Sequence, residues 1–383
     1  MKEYICINGG ECEAEKDLAS CKRCRLYKCL TVGINPQGIR SSKLNGEQRM
    51  AFVERMKEHS KKSAVLNSVI RRDGEGQNSN SKIDFKAPEQ KELINLIVLK
   101  NLLQIEQKVH RIRYSETPIP ESFYTQCDTF ESIFSRKLNL IELVNMFSPK
   151  PKKAVPAIYL EKSRQFGPFC VRPAPVVMDL LCVFEIDKTF PFFYQLGNND
   201  KIALCSNIAM PLYVLCCSFY SVQQNCDVWC SPDGAILIEI FANSFYKQDT
   251  IVMRMVDKLL RNAMQPFVRL KLVTEEFVLI RAIIYSHMGL SDQAHKLLYS
   301  EAEKYSALLM SFLQNNYGPA AGALRYMELM GLIEGLFNTG VKHRQMLTYI
   351  SNVLDPNFDK VLPPVLAKIS TSGPVESHQL LPY

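Results

Sequence analysis

With 383 residues, 47% of them hydrophobic, the chain can bury at least one sizeable core, which excludes a disordered tail. Its net charge of +7 is unevenly placed: between Ala19 and Arg72, 13 Lys or Arg face only Glu47, Glu54 and Glu58, a local excess that points to nucleic acid or, more plainly, to a solvated linker. No charged start followed by an apolar run marks a leader, and the longest apolar stretch, Ile202 to Tyr220, is broken by Ser206, Asn207 and Pro211, so a buried helix and no membrane partner are expected.

Residues 1–40 form a cysteine-rich basic module. Cys6, Cys12, Cys21 and Cys24 follow the spacing C-x5-C-x8-C-x2-C. The close pair can hold two corners of a tetrahedron from the first turn of a helix, and the looser pair closes the other two, as a structural Zn²⁺ site requires. Ser20 is placed to cap that helix, and Gly33 and Pro36 to stop it. Cys29 shares a face with Leu26 and Leu30 and is expected to pack inward. The eight cysteines beyond this module are scattered through apolar stretches, as core thiols are in a reducing compartment.

Residues 41–85 read as a hinge, rich in small and polar residues at both ends, with a basic helical stretch between. From Glu92 to Ile112 apolar residues recur at helical spacing, opening a helical domain over 86–383. Further helices are predicted over Pro173 to Phe190, Asp200 to Gln224, Thr250 to Leu272, Glu275 to Tyr285, Ser291 to Asn315 and Ala320 to Leu354. One small β-hairpin is expected in VWCSPDGAILIEI, where Pro232, Asp233 and Gly234 supply the turn. The fold class is therefore mainly α: a four-cysteine zinc module followed by an all-helical domain with one hairpin.

Four strings carry a resemblance. CKRCRLYKCLTVGINPQGIR, from Cys21, resembles the close of the second zinc module of nuclear hormone receptor DNA-binding domains. It departs from that pattern in its x8 gap, in Ile34 where Met is usual, and in lacking the first module, since only five residues precede Cys6. FEIDKTFPFFYQLGNNDKIALC, from Phe184, resembles the signature joining helices 3, 4 and 5 of the ligand-binding domain, particularly the expanded nematode type. EEFVLIRAIIYS and NNYGPAAGALRYMELMGLIEGLF resemble its helix 8 and its helix 10.

The resemblance implies a nuclear transcription factor regulating RNA polymerase II transcription, ligand-regulated or orphan, with a partial DNA-binding domain at 1–40. Arg23, Arg25 and Lys28 would then touch DNA phosphates, weakly and with strong salt dependence, because the missing first module carries the base-reading helix; a solvated basic face is the plainer alternative. A pocket lined by Met178, Leu181, Met210, Leu215 and Phe219 would suit a lipophilic ligand, although a filled core is equally compatible. No Arg occurs from Ile202 to Met253, which disfavours an acidic ligand held from helix 5. Leu324, Met327 and Met330, with Leu329 and Ile333, would form a homo- or heterodimer seam.

Lys188 matches the lysine that clamps one end of a coregulator's LxxLL helix in this family. The glutamate that clamps the other end is missing, because after Pro364 the only acid is Glu376, in a Gly- and Pro-broken segment expected not to form the closing helix. Weak LxxLL binding follows. A second reading makes the chain a DNA-binding-defective partner that dimerises with intact receptors. Six scattered histidines and the lack of HExxH, GxSxG or P-loop strings argue against an enzyme.

Overall fold

The computed structural model describes residues 87–149, 175–287, 291–355, 358 and 362–371. The chain divides between Asp84 and Phe85, and all described residues belong to the second unit. The zinc module and hinge expected at 1–40 and 41–85 lie outside the described residues. The helices are α1 (Ala87–Tyr114), α2 (Ser122–Thr125), α3 (Phe130–Ser135), α4 (Pro175–Asp187), α5 (Asn198–Gln223), α6 (Leu237–Ala242), α7 (Thr250–Leu270), α8 (Thr274–Tyr285), α9 (Asp292–Tyr317), α10 (Pro319–Tyr349) and α11 (Pro364–Thr371). Glu142–Met146, Pro191–Gln195 and Phe245–Gln248 are 3-10 turns, and a π turn at Ile350–Leu354 ends α10.

Local chemistry explains several helix starts. Asp249 caps α7, accepting from the Ile251 and Val252 amides, both at 2.8 Å. At the head of α9, the Ser291 hydroxyl accepts from the Ala294 amide at 3.2 Å. Thr129 and Ser132 satisfy each other's amides reciprocally, which allows a helix as short as α3 to start cleanly. Pro319 opens α10 at the position where its missing N–H costs nothing.

The helices stack in three layers. α5 and α8 form the middle, with α1 and α4 against one side and α7 and α10 against the other, while α9 packs on α8 and α10. Between Ala203 and Ser221 only Asn207 is less than fully buried, so α5 is apolar all round because protein surrounds it. It is the one described helix long and apolar enough to cross a membrane, and 83% of that window is buried within the fold. Where α9 turns into α10, a β-carbon on Gly322 would lie 2.7 Å from the backbone nitrogen of Gln314, so only glycine admits this approach. The described cysteines are all free thiols, and all but Cys226 are buried.

Two expectations change. The hairpin is reduced to a single antiparallel bridge, Cys230 to Ile236, around a turn in which Gly234 has φ +85°. Its expected second strand is helical, because Leu237 to Ala242 turn inward as α6 and bury Ile240 and Phe241. The closing segment also folds where a broken chain was expected: Val365, Leu366, Ala367 and Ile369 of α11 are buried. Arg344 of α10 donates to the Ile369 carbonyl at 3.1 Å and to the Ser206 carbonyl of α5 at 3.0 Å, and Thr348 donates to the Thr371 carbonyl at 2.7 Å. Tertiary contacts override a poor helix propensity here.

Candidate functional site

The signature string builds a corner at the end of α4. Pro191 stops the helix and starts a 3-10 turn that buries Phe192 and Phe193, and Phe190 stacks on Phe192 at 5.2 Å. Asp200, in the first turn of α5, accepts from the Ser291 amide and hydroxyl, each at 2.9 Å. The Asp of this signature therefore fixes the head of α9 against α5, a role that spacing alone does not reveal.

Lys188 is placed differently from its expected role. Rather than an open cation at a groove rim, it is 4% exposed, with Nζ 3.0 Å from Glu185 Oε1 and donating to the Ile133 carbonyl of α3 at 3.3 Å. Glu185 is fully enclosed; it also pairs with Arg136 at 3.3 Å, and its Oε2 accepts from the Leu140 amide at 2.8 Å. Burial of these charges is tolerable because each has a partner. The residues of α11, PVLAKIST, include no acid; Glu376, on which the expectation about the glutamate clamp rests, lies outside the described residues.

The five expected pocket residues, Met178 and Leu181 on α4 and Met210, Leu215 and Phe219 on α5, are all buried in one apolar cluster. The Phe219 ring lies flat on Phe277 of α8 at 3.9 Å, which commits it to the α5–α8 contact. Along α10, Leu324 and Met327 are 66% and 69% exposed, Met330 and Ile333 are half-buried, and Leu329 is fully buried. Only the first two are free to meet a partner outright. Cys6, Cys12, Cys21, Cys24, Arg23, Arg25 and Lys28 lie outside the described residues. Among the described residues no cluster of His, Cys, Asp or Glu could hold a metal.

Buried polar groups hold the layers in register, and sequence reasoning missed them. Arg113 of α1 pairs with Asp179 of α4, both almost fully enclosed. Glu106 of α1 pairs with Arg281 of α8 at 2.6 Å and accepts from the Tyr220 hydroxyl of α5 at 2.8 Å. No local spacing announces such pairs.

The Asp187 carboxyl, at the end of α4, accepts a hydrogen bond from the Cys205 thiol, 3.3 Å from Oδ2, while its Oδ1 has no hydrogen-bond partner and the Lys201 charge opposes the effect of burial only in part. Burial pushes its carboxyl up to about 8. In the unfolded chain the same group loses its proton near pH 4, so between the two values the native state holds more protons and stability falls as pH rises. His343, stacked on Tyr213, is held down to about 3 by burial and by Arg344, so its contribution changes only below its unfolded value of about 6.5. Between pH 6.5 and 8, wild-type protein is therefore expected to lose on the order of 1.4 kcal/mol per pH unit from Asp187. Asp187→Asn, which mimics the neutral acid, should flatten that loss; urea midpoints with equal slopes for the two proteins would refute the assignment.

Comparison with known proteins agrees with this architecture. Residues 176–351, from α4 into the π turn, match the family model for the ligand-binding domain of nuclear hormone receptor. The chain is 21% identical over 347 residues to the nuclear hormone receptor family member nhr-209 of Caenorhabditis elegans, covering 86% of this chain and 72% of the relative. Against nhr-153 of the same organism it is 22% identical over 362 residues, covering 91% and 79%. Against nhr-1 the figures are 22% over 346 residues, 88% and 69%. The layered helices and the α4–α5 corner thus define a non-enzymatic receptor domain. Residues 176–351 therefore match a nuclear hormone receptor ligand-binding domain, and the chain is similar to nematode members of that family.

Proposed function

We propose that the chain is a nuclear, zinc-dependent transcription factor that regulates RNA polymerase II transcription through its helical domain. The observation that carries this is the intact signature corner, with Asp200 bound to Ser291 inside the segment matching the receptor family model. In this reading Cys6, Cys12, Cys21 and Cys24 hold structural Zn²⁺, and Arg23, Arg25 and Lys28 contribute weak, salt-sensitive phosphate contacts. The apolar cluster under α4 and α5 takes a lipophilic small molecule, and coregulators dock near the end of α4. Tethering the full chain to a heterologous DNA-binding module should shift a reporter several-fold, up or down. A reporter left at baseline in nematode and heterologous cells would overturn the transcriptional reading.

One observation favours the second reading, a dimerising partner of intact receptors. Leu324, Met327 and Val341 are exposed on α10, and β-carbons added at Gly331 and Gly335 would meet nothing within 4 Å. An apolar stripe relieved by glycines suits another helix laid along it. Sedimentation should show a dimer that Leu324→Glu combined with Met327→Glu converts to monomer; a wild-type monomer at micromolar concentration would remove this reading.

A further inference from the structure

α3 is six residues long, yet its apolar residues Phe130, Ile133 and Phe134 sit at i, i+3 and i+4. That is the pattern by which short amphipathic helices lay one face into a groove. Phe130 and Ile133 are buried and Phe134 is half-buried, whereas Glu131 and Ser135 are exposed. The apolar face rests on the end of α4 and the following turn: Phe130 meets Phe184 edge-on at 6.4 Å, and Phe134 meets Phe193 edge-on at 5.4 Å.

Polar contacts hold the C-terminal part of α3 and the segment that leads into it. Lys188 Nζ reaches the Ile133 carbonyl, placing a cation at the negative end of the helix dipole. On the other side, the Cys127 carbonyl accepts from the Val365 amide of α11 at 3.2 Å. Beyond α3, Arg136 pairs with Glu185, and its guanidinium covers the Phe123 ring at 4.5 Å.

We propose that the cleft formed by Phe184, Lys188, Phe193 and the start of α11 is a helix-binding groove that the chain fills with its own Phe130-x-x-Ile133-Phe134 segment. The inference deepens the coregulator role proposed above and rests on that reading for the identity of the outside partner. That partner is a two-turn amphipathic helix with the same spacing. Tethering gives the internal copy an effective concentration on the order of millimolar, so an outside helix of equal intrinsic affinity is largely shut out. Weak LxxLL binding then has a cause beyond the acid-free α11: the groove is occupied.

The test uses the full chain and a fluorescein-labelled peptide of residues 126–138 with Cys127 replaced by Ser. By anisotropy, the double variant Phe130→Ala, Phe134→Ala should bind this peptide at least tenfold more tightly than wild type. A control peptide with both phenylalanines replaced by Ala should bind neither protein. If the double variant loses cooperative melting, Phe134→Ala alone, at a half-buried site, should still gain about threefold. Equal affinity for wild type and variants, or no binding to any, overturns the inference. The tethered reporter separates the two levels: a chain that moves the reporter but binds the peptide alike in wild type and variant keeps its transcriptional role and loses the self-filled groove.

Discussion

Replacing Glu106 by Ala should destabilise the helical domain by about 3–5 kcal/mol, the usual cost of stranding one member of a buried ion pair. Glu106 and Arg281 are 4% and 2% exposed. Burial alone pulls the Arg281 guanidinium down, and the neighbouring Glu106 carboxylate reverses this and raises it. Without the carboxylate, Arg281 keeps the face of Phe277, 5.0 Å away, and the Cys216 thiol, neither of which carries a compensating charge, and the Tyr220 hydroxyl loses its acceptor. No second acid pairs with Arg281 among the described residues. Because the pair joins α1 to α8 and its hydroxyl partner adds α5, the loss should appear as a lower urea midpoint with an unchanged slope. Removing both charges with Glu106→Leu and Arg281→Met should recover most of it, since a packed apolar replacement is often neutral. A single-variant loss below about 1 kcal/mol would mean that the vacated site is solvated.

The other large effect is expected in the N-terminal residues 1–40. If Cys6, Cys12, Cys21 and Cys24 hold zinc as proposed, a module of 40 residues with so little apolar sequence depends on that metal, since structural zinc contributes apparent folding energies of about 10–16 kcal/mol in comparable peptides. Cys21→Ser should therefore abolish zinc binding and melt residues 1–40, while the cooperative unfolding of the helical domain stays where it was. Cys29→Ser should retain the metal, because that thiol is assigned to packing. Elemental analysis finding less than about half an equivalent of zinc per wild-type chain, with thiols reduced, would end the assignment, given that a structural site is filled when folded.

Long elements were legible in the sequence. The helices predicted from Asp200, Thr250, Glu275 and Ser291 begin within two residues of α5, α7, α8 and α9, because each offers several turns of apolar periodicity, and α7 and α9 also carry a capping side chain, Asp249 and Ser291. Short ones were not. α2, α3 and α6 span too few residues for periodicity to accumulate, and LIEI in α6 fits a strand or a helix equally until its neighbours bury one face. α11 was hidden by the Gly and Pro that follow it, since its stability comes from Arg344 and Thr348 of α10. Of the site, the apolar residues were readable as buried and Leu324 and Met327 as surface candidates. The enclosure of Lys188 was not, because Ile133 and Glu185 reach it from segments whose approach only the fold determines.

The fastening of α11 has a consequence for how this chain can move. An eight-residue helix has no standing of its own in water. Here Arg344, 7% exposed, is held between the Ile369 and Ser206 carbonyls, so lifting α11 away would leave a buried cation one acceptor short. Residues 364–371 should therefore open as a discrete event with the free energy of a sub-global unit, and amide exchange along them should report two populations rather than the graded fraying of a loose end.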